Sequence, residues 1–235
     1  MKPAPVLLVH GIRSSCSMWR TVQERLDVLG VPNKAIDLPG HGSRRGEQFT
    51  IEAARQAIED GMASLDGRGV AVGLSLGGFL SLNWAARTRH PPLAVLAASC
   101  SVRPRGLPLL GYLGAAHLFA RLPDEGKAVN DAVARLVLGA EAAADLNADV
   151  AFEVMVPALR AMAAVDPLAD LAQIDVPVWL ANATWDHFRV EEQTFLRAAR
   201  CGRLVRIPHA GHIITAHQPE VFARLVQRLA LVAAR

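Results

Sequence analysis

The segment Gly73-Leu74-Ser75-Leu76-Gly77-Gly78 constrains this chain more than any other. The apolar run Gly69-Val70-Ala71-Val72 enters it and the run from Phe79 to Ala86 leaves it. That pattern predicts a buried strand, a sharp turn carrying a serine, and a helix. A turn so tight strains the backbone at the serine, and glycines two residues to either side let strand and helix pass closely. The hydroxyl then stands at the C-terminal end of the strand, above a helix N-terminus. Free N–H groups and the helix dipole there favour a developing oxyanion. A surface serine in a Gly-rich turn is the plainer reading. A base and an acid downstream, in the right order, decide against it.

Both are present. The run Val176-Pro177-Val178-Trp179-Leu180-Ala181-Asn182 reads as a buried strand and leads to Ala183-Thr184-Trp185-Asp186. The shorter run Arg203-Leu204-Val205-Arg206-Ile207 leads to Pro208-His209-Ala210-Gly211-His212. Each candidate partner therefore sits just past the C-terminal end of a strand. In an open parallel sheet those ends share one edge, where ligands bind. His187, Asp166 and Asp170 are rivals for the acid, but they sit less well after a strand.

The rest of the chain supports one α/β domain. Pro5–Val9, Lys34–Asp37, Val70–Leu74 and Leu93–Ala98 read as strands, and Ser17–Leu29, Ile51–Leu65 and Phe79–Arg87 as helices between them. Thr50 is a plausible N-cap for the second helix. Between about Ser101 and Pro167 the alternation stops. Gly106–Arg121, Gly126–Leu138, Ala140–Leu146 and Asp149–Val165 all look helical. The closing helix, Pro219–Ala234, places Val221, Phe222, Leu225, Leu229 and Val232 at helical spacing. The expectation is an α/β fold with a mostly parallel sheet of about six strands, helices on both faces and a helical lid insertion. Residues 1–100 and 166–235 form the core, and 101–165 the lid.

Composition narrows the class. With 235 residues and 51% hydrophobic content the chain can bury a substantial core. The net charge of +3 comes from scattered arginines, and no basic run is long enough for a nucleic-acid footprint. Cys16, Cys100 and Cys201 show no metal spacing, and their odd number fits a reducing, cytoplasmic setting. The apolar run Val6-Leu7-Leu8-Val9 is too short for a secretory signal, and no stretch approaches the length of a membrane span. No metal or other cofactor is expected, since no His/Asp/Glu group has ligand spacing in the sequence.

Taken together, His10-Gly11 after the first strand, Trp19, Asp37-Leu38-Pro39-Gly40-His41-Gly42, the Gly73–Gly78 turn, Val176-Pro177-Val178 through Asp186, and Ala210-Gly211-His212 carry a resemblance. The chain resembles the α/β-hydrolase superfamily over nearly its full length. Only nine residues precede His10-Gly11, so the two strands that usually come first do not fit. This short-start form is similar to small bacterial esterases and to the plant methylesterase and hydroxynitrile lyase group.

The order Ser75, Asp186, His212 matches that family's triad. It implies Ser75 as nucleophile, His212 as base and then acid, and Asp186 as the residue orienting the imidazole. The oxyanion hole would be the amides of Ile12 and Leu76, with Gly11 letting the chain turn. His10 and His41 would be structural, and His209 and His217 surface residues. Gly11, Met18, Trp19, Trp185, Phe119 and Met155 are candidate pocket walls. Arg160 and His117 are the charged exceptions on a lid that otherwise favours an uncharged or apolar small-molecule ester. A C–C bond hydrolase, or a lyase or synthase, on the same triad is an alternative. Cyanohydrin cleavage is disfavoured by Gly11 and Ile213, where that chemistry has a hydroxyl residue and a lysine. A non-enzymatic ligand receptor on the same fold is the third reading.

Overall fold

The computed structural model describes residues 2–235, apart from the side chain of Glu125; Met1, the first residue of the expected core, lies outside them. Six strands run β1 Val6–Val9, β2 Asn33–Ile36, β3 Val70–Leu74, β4 Ala94–Ala98, β5 Val178–Ala183 and β6 Gly202–Ile207. They pair in parallel in the order β2-β1-β3-β4-β5-β6. Sheet growth changes direction between β1 and β3. That switch opens a crevice at the C-terminal ends of these two strands.

Strand side chains alternate between two apolar cores. On one face Leu7, Val9, Ala71, Val95 and Leu180 pack against Ile58 and Met62 of helix α2 (Ile51–Ala63, with α1 being Arg20–Val28) and Leu80 of α3 (Leu76–Ala85). On the other, Val6, Leu8, Val72, Leu96 and Ala181 pack against Val22 and Leu26 of α1 and against Phe222, Val226 and Leu229 of the closing helix. The sheet is thus covered on both sides, and the crevice lies at its C-terminal edge.

Local chemistry sets the helix starts. Thr50 Oγ1 accepts the Ala53 amide at 3.0 Å and caps α2. The stretch expected as one helix from Ser17 splits into a 3-10 turn, Cys16–Trp19, and then α1. Ser15 Oγ starts that turn by accepting the Ser17 amide at 3.2 Å. The helix after Ser75 begins at Leu76 rather than Phe79, because the tight turn feeds straight into it.

Between β4 and β5 the described residues form no strand. They fold as α4 Gly106–Phe119, α5 Lys127–Leu138, α6 Ala140–Asn147, α7 Met155–Met162 and α8 Pro167–Leu171. The expected helix from Asp149 begins only at Met155. Upstream of it the Ala151 amide is drawn away to the Arg13 carbonyl at 2.9 Å. After β5 come two helices absent from the sequence reading, α9 Glu192–Ala198 and α10 Ile214–His217, and then α11 Pro219–Ala233. Among the described residues no helix is long and apolar enough to cross a membrane.

Candidate active site

The turn at the end of β3 depends on its glycines. A Cβ on Gly73 would strike the Gly77 backbone, and one on Gly77 would strike the Val9 carbonyl. With those approaches closed to any side chain, Ser75 takes φ of 55° and ψ of −116°. Its own amide donates to the Ala98 carbonyl of β4 at 2.8 Å. A non-glycine residue at positive φ stores strain that the surroundings must hold. Here two flanking glycines and a cross-strand bond hold it.

Ser75 Oγ donates to His212 Nε2 at 3.1 Å, and His212 Nδ1 donates to Asp186 Oδ1 at 3.0 Å. Three segments that are far apart in sequence therefore form one hydrogen-bonded line, from the ends of β3, β5 and β6. Asp186 is buried and Oδ1 also accepts the Phe188 amide at 2.8 Å, which starts the short turn His187–Arg189. Oδ2 is buried without a hydrogen-bond partner among the described residues. Burial pushes the Asp186 carboxyl upward. Its bond to His212, that residue's charge, the Phe188 amide and the nearby Ser99 hydroxyl outweigh this and hold it below its ordinary value. The rival carboxylates are engaged elsewhere. Asp166 caps α8, and Asp170 pairs with Arg87 at 2.6 Å and accepts from Asn83.

The His212 ring is held from several sides. Phe188 lies 4.7 Å from it, centroid to centroid, and His187 5.2 Å. Ser99, at φ 53°, donates to the His212 carbonyl at 2.8 Å. Tyr112 of α4 donates its hydroxyl to His187 Nε2. Burial and the Asp186 charge push the Tyr112 phenol up to about 12, so it keeps that proton. Phe188, Ser99 and Tyr112 were not singled out as triad neighbours from sequence. Phe188 could have been, since it immediately follows a residue weighed as the acid's rival. Asp186, His187 and His212 also bring ligand-type atoms within 4.8 Å of one another, a grouping invisible in their spacing along the chain. The His212 ring nitrogens are already engaged with Ser75 and Asp186.

The loop after β1 lies against the serine: a Cβ on Gly11 would stand 3.6 Å from Ser75 Cβ. The amides of Ile12 and of Leu76, the first residue of α3, donate to no protein acceptor among the described residues. Two buried histidines fix this loop. His10 Nε2 accepts the Leu38 amide at 3.0 Å while Nδ1 donates to the Gly11 carbonyl at 2.7 Å. His41 Nε2 accepts the Arg13 amide at 3.1 Å while Nδ1 donates to Pro39 at 2.9 Å. Each therefore needs its neutral form. Burial, with His41 4.8 Å away, lowers His10 to about 3, and burial also lowers His41.

This pair makes the fold acid-sensitive. Below pH 6.5 the unfolded chain binds protons that folded His10 refuses, so stability is complete above that pH and falls as pH drops toward 3. His10 alone is expected to remove about 2 kcal/mol by pH 5, which is about 4–8 °C in Tm for a chain of this size. Thermal unfolding at pH 7.5 and pH 5.0 measures this. A Tm that does not move between them contradicts it.

A cavity of about 480 Å³ opens over the serine, lined from the sheet side by Gly11, Ile12, Met18, Leu74, Ser75 and Leu76. Leu109, Tyr112, Phe119, Val133, Met155 and Met162 close it from the helical side. Of the residues expected in its wall, Gly11, Met18, Phe119 and Met155 line it. Two do not. Trp19 is fully buried on the far side of the sheet, its ring 6.0 Å from Phe222, because the 3-10 turn Cys16–Trp19 directs it into the core that α1 shares with α11. Trp185 is 67% exposed and lies edge-on to His209. It immediately precedes buried Asp186 but points outward, away from the serine. Arg160 and His117, expected as the charged groups of the wall, also lie outside the lining. Arg13 and Arg103 are in it instead. His209 is exposed, whereas His217 is half-buried and donates to the Ile213 carbonyl at 2.9 Å.

Against this geometry, a model of the alpha/beta hydrolase family matches residues 6–225. The chain is 38% identical over 101 residues to the biotin biosynthesis bifunctional protein BioHC of Cellvibrio japonicus, covering 42% of this chain and 19% of that protein. It is 40% identical over 87 residues to a pimeloyl-[acyl-carrier protein] methyl ester esterase of Neisseria meningitidis, covering 37% of this chain and 32% of that one. The matches thus span between a fifth and a third of these relatives' lengths. Among solved structures, a thermophilic esterase from Thermogutta terrifontis superposes with a TM-score of 0.79 at 22% identity, over 99% of this chain and 91% of that one.

Proposed function

The chain belongs to the alpha/beta hydrolase family, and from that premise we propose that it is a serine hydrolase cleaving a small, largely apolar carboxylic ester, thioester or lactone. The observation that carries this reading is the line Ser75 Oγ, His212 Nε2, His212 Nδ1, Asp186 Oδ1, with steps of 3.1 and 3.0 Å, beside an apolar cavity. The methyl ester esterases of Neisseria meningitidis among the curated relatives support the reaction class.

In this reading Ser75 Oγ attacks the carbonyl carbon while its proton passes to His212 Nε2. The carbonyl oxygen becomes an oxyanion and accepts the amides of Ile12 and Leu76. Collapse breaks the ester bond, and the departing alcohol takes the proton from His212. Water then loses a proton to His212 and attacks the acyl-enzyme; the acyl C–Oγ bond breaks as His212 returns that proton to Ser75 Oγ, and the acid is released. Asp186 holds the imidazole in the tautomer this needs and stabilises its cation. Residues 101–165 serve as the lid that bounds the substrate cavity.

The test is hydrolysis of p-nitrophenyl esters with acyl chains of two to twelve carbons, together with labelling by a fluorophosphonate. Turnover of the shorter members is expected, with loss of activity once the chain outgrows the cavity. The phosphonate should add to Ser75 and be found there by peptide mass. No turnover on any ester and no adduct at Ser75 would sink the reading.

A further inference from the structure

The cavity over Ser75 carries an unbalanced positive charge. No carboxylate lines it among the described residues, and two arginines do, Arg13 and Arg103. Arg103 is neutralised by Glu191 at 2.5 Å. Arg13 has no acidic partner within salt-bridge distance and no side-chain hydrogen bond among the described residues. Its guanidinium lies 5.7 Å from the centre of the Phe152 ring, and that contact leaves its N–H groups unfilled. The lining residues Asn130, Asn147 and Ser14 are occupied within the protein. Asn130 donates to Asn147 at 3.1 Å, Asn147 donates to Asp131 at 3.0 Å, and Ser14 Oγ donates to the Leu146 carbonyl.

The backbone holds Arg13 there at some expense. Its φ is 58°, a conformation a long side chain rarely adopts. Both of its peptide groups are pinned, the amide to His41 Nε2 and the carbonyl to the Ala151 amide. Arg13 directly follows Ile12, so the same rigid loop presents an oxyanion amide and a cation to one cavity. A part-buried guanidinium without a counter-charge is costly, and burial alone already lowers its affinity for its proton. An anion brought by the ligand removes that penalty.

We propose that Arg13 is the counter-ion for a carboxylate that the substrate carries apart from its scissile ester. The favoured substrates are then half-esters of short aliphatic dicarboxylic acids, or ester-bearing acids of similar length. Their apolar methylenes lie along the leucine and methionine wall. This rests on the serine-hydrolase reading and adds the charge of the substrate to it. Arg13 is a specificity-determining residue in this scheme and takes no part in bond making.

The experiment compares matched pairs by kcat/KM. Monomethyl glutarate is set against methyl pentanoate for an acid on the acyl side, and 4-acetoxybutyrate against butyl acetate for an acid on the alcohol side. Wild type should favour the acid of one pair by roughly 10-fold or more, the size of a charge-assisted, bidentate pair, and that pair identifies the side. In Arg13→Gln the acid-to-neutral ratio should fall about 10-fold, chiefly through KM. Arg13→Lys should retain much of it. A wild-type ratio of one or below in both pairs, or a ratio that Arg13→Gln leaves in place, overturns the proposal.

If wild type hydrolyses none of the four esters, the hydrolase reading is decided separately by the p-nitrophenyl esters and the fluorophosphonate. Arg13 is then judged by calorimetric binding of glutarate against glutaramide. Glutarate binding that weakens about 10-fold in Arg13→Gln keeps the anion site, and equal binding of the two ligands ends it. The same titration decides the case of a variant inactive on both members of a pair.

Discussion

In a Ser75→Ala variant, ester turnover is expected to fall by roughly 10⁴- to 10⁶-fold while the protein stays folded. The size follows from what remains. The other candidate nucleophiles near the site are engaged or buried: Ser14 Oγ donates to the Leu146 carbonyl, the Tyr112 hydroxyl is bonded to His187, and Cys100, packed beneath Gly78, is fully buried with its thiol raised far above its ordinary value. The amides of Ile12 and Leu76 would still polarise a bound carbonyl, which leaves a small residual rate over water. Folding should survive because the Ser75 side chain takes no part in the turn. It makes no capping bond to α3, and the bond to the Ala98 carbonyl comes from the backbone amide. The measurement is kcat/KM on the best p-nitrophenyl ester, with circular dichroism and Tm alongside. A folded variant retaining more than about one per cent of wild-type activity refutes the nucleophile assignment.

The second large effect lies at Asp186, where two substitutions are expected to separate. Asp186→Ala removes the acceptor that orients His212 and the charge that stabilises its cation, and should cost about 10⁴-fold in kcat. Asp186→Asn should cost less, about 10²- to 10³-fold. The reason is specific to this geometry. A single oxygen, Oδ1, accepts both the His212 Nδ1–H at 3.0 Å and the Phe188 amide at 2.8 Å. An asparagine that keeps its carbonyl oxygen in that place preserves both bonds and the imidazole tautomer, and loses only the charge. Its amide group then occupies the Oδ2 position, which has no partner now. Equal losses in the two variants would show that the asparagine flips and turns the tautomer. A loss below about 10-fold in Asp186→Ala would remove Asp186 from the mechanism altogether.

The parts of this molecule that can be read from sequence are those where backbone geometry restricts the choice of residue. Ser75, Asp186 and His212 were accessible because each follows an apolar run of strand length. Parallel pairing then brings three such ends to one edge. The glycines of the turn were accessible because Gly73 and Gly77 meet main-chain atoms, and no side chain fits there. The pocket walls were less so. Trp19 and Trp185 are near the right segments, but their side chains point to the opposite core and to solvent. Direction after a strand end or within a 3-10 turn depends on a few dihedral angles that sequence spacing does not report. Arg13 was missed for a related reason. Its place in the wall comes from a left-handed backbone and two long-range bonds, to His41 and Ala151. The segment from Asp149 looked helical because its composition is, and that same bond to Arg13 overrides the propensity.

The turn at Ser75 is shaped by neighbours that have no side chains, and its central side chain contributes nothing to the shape. In engineering terms it is a socket: the protein pays for the conformation with Gly73, Gly77 and the β4 carbonyl, independently of what is plugged in. A thiol or a carboxylate placed there would meet the same imidazole and the same pair of amides without a change of scaffold. Redesign of the reaction can therefore begin at position 75 while the fold is left alone, and redesign of stability can proceed elsewhere without touching the chemistry.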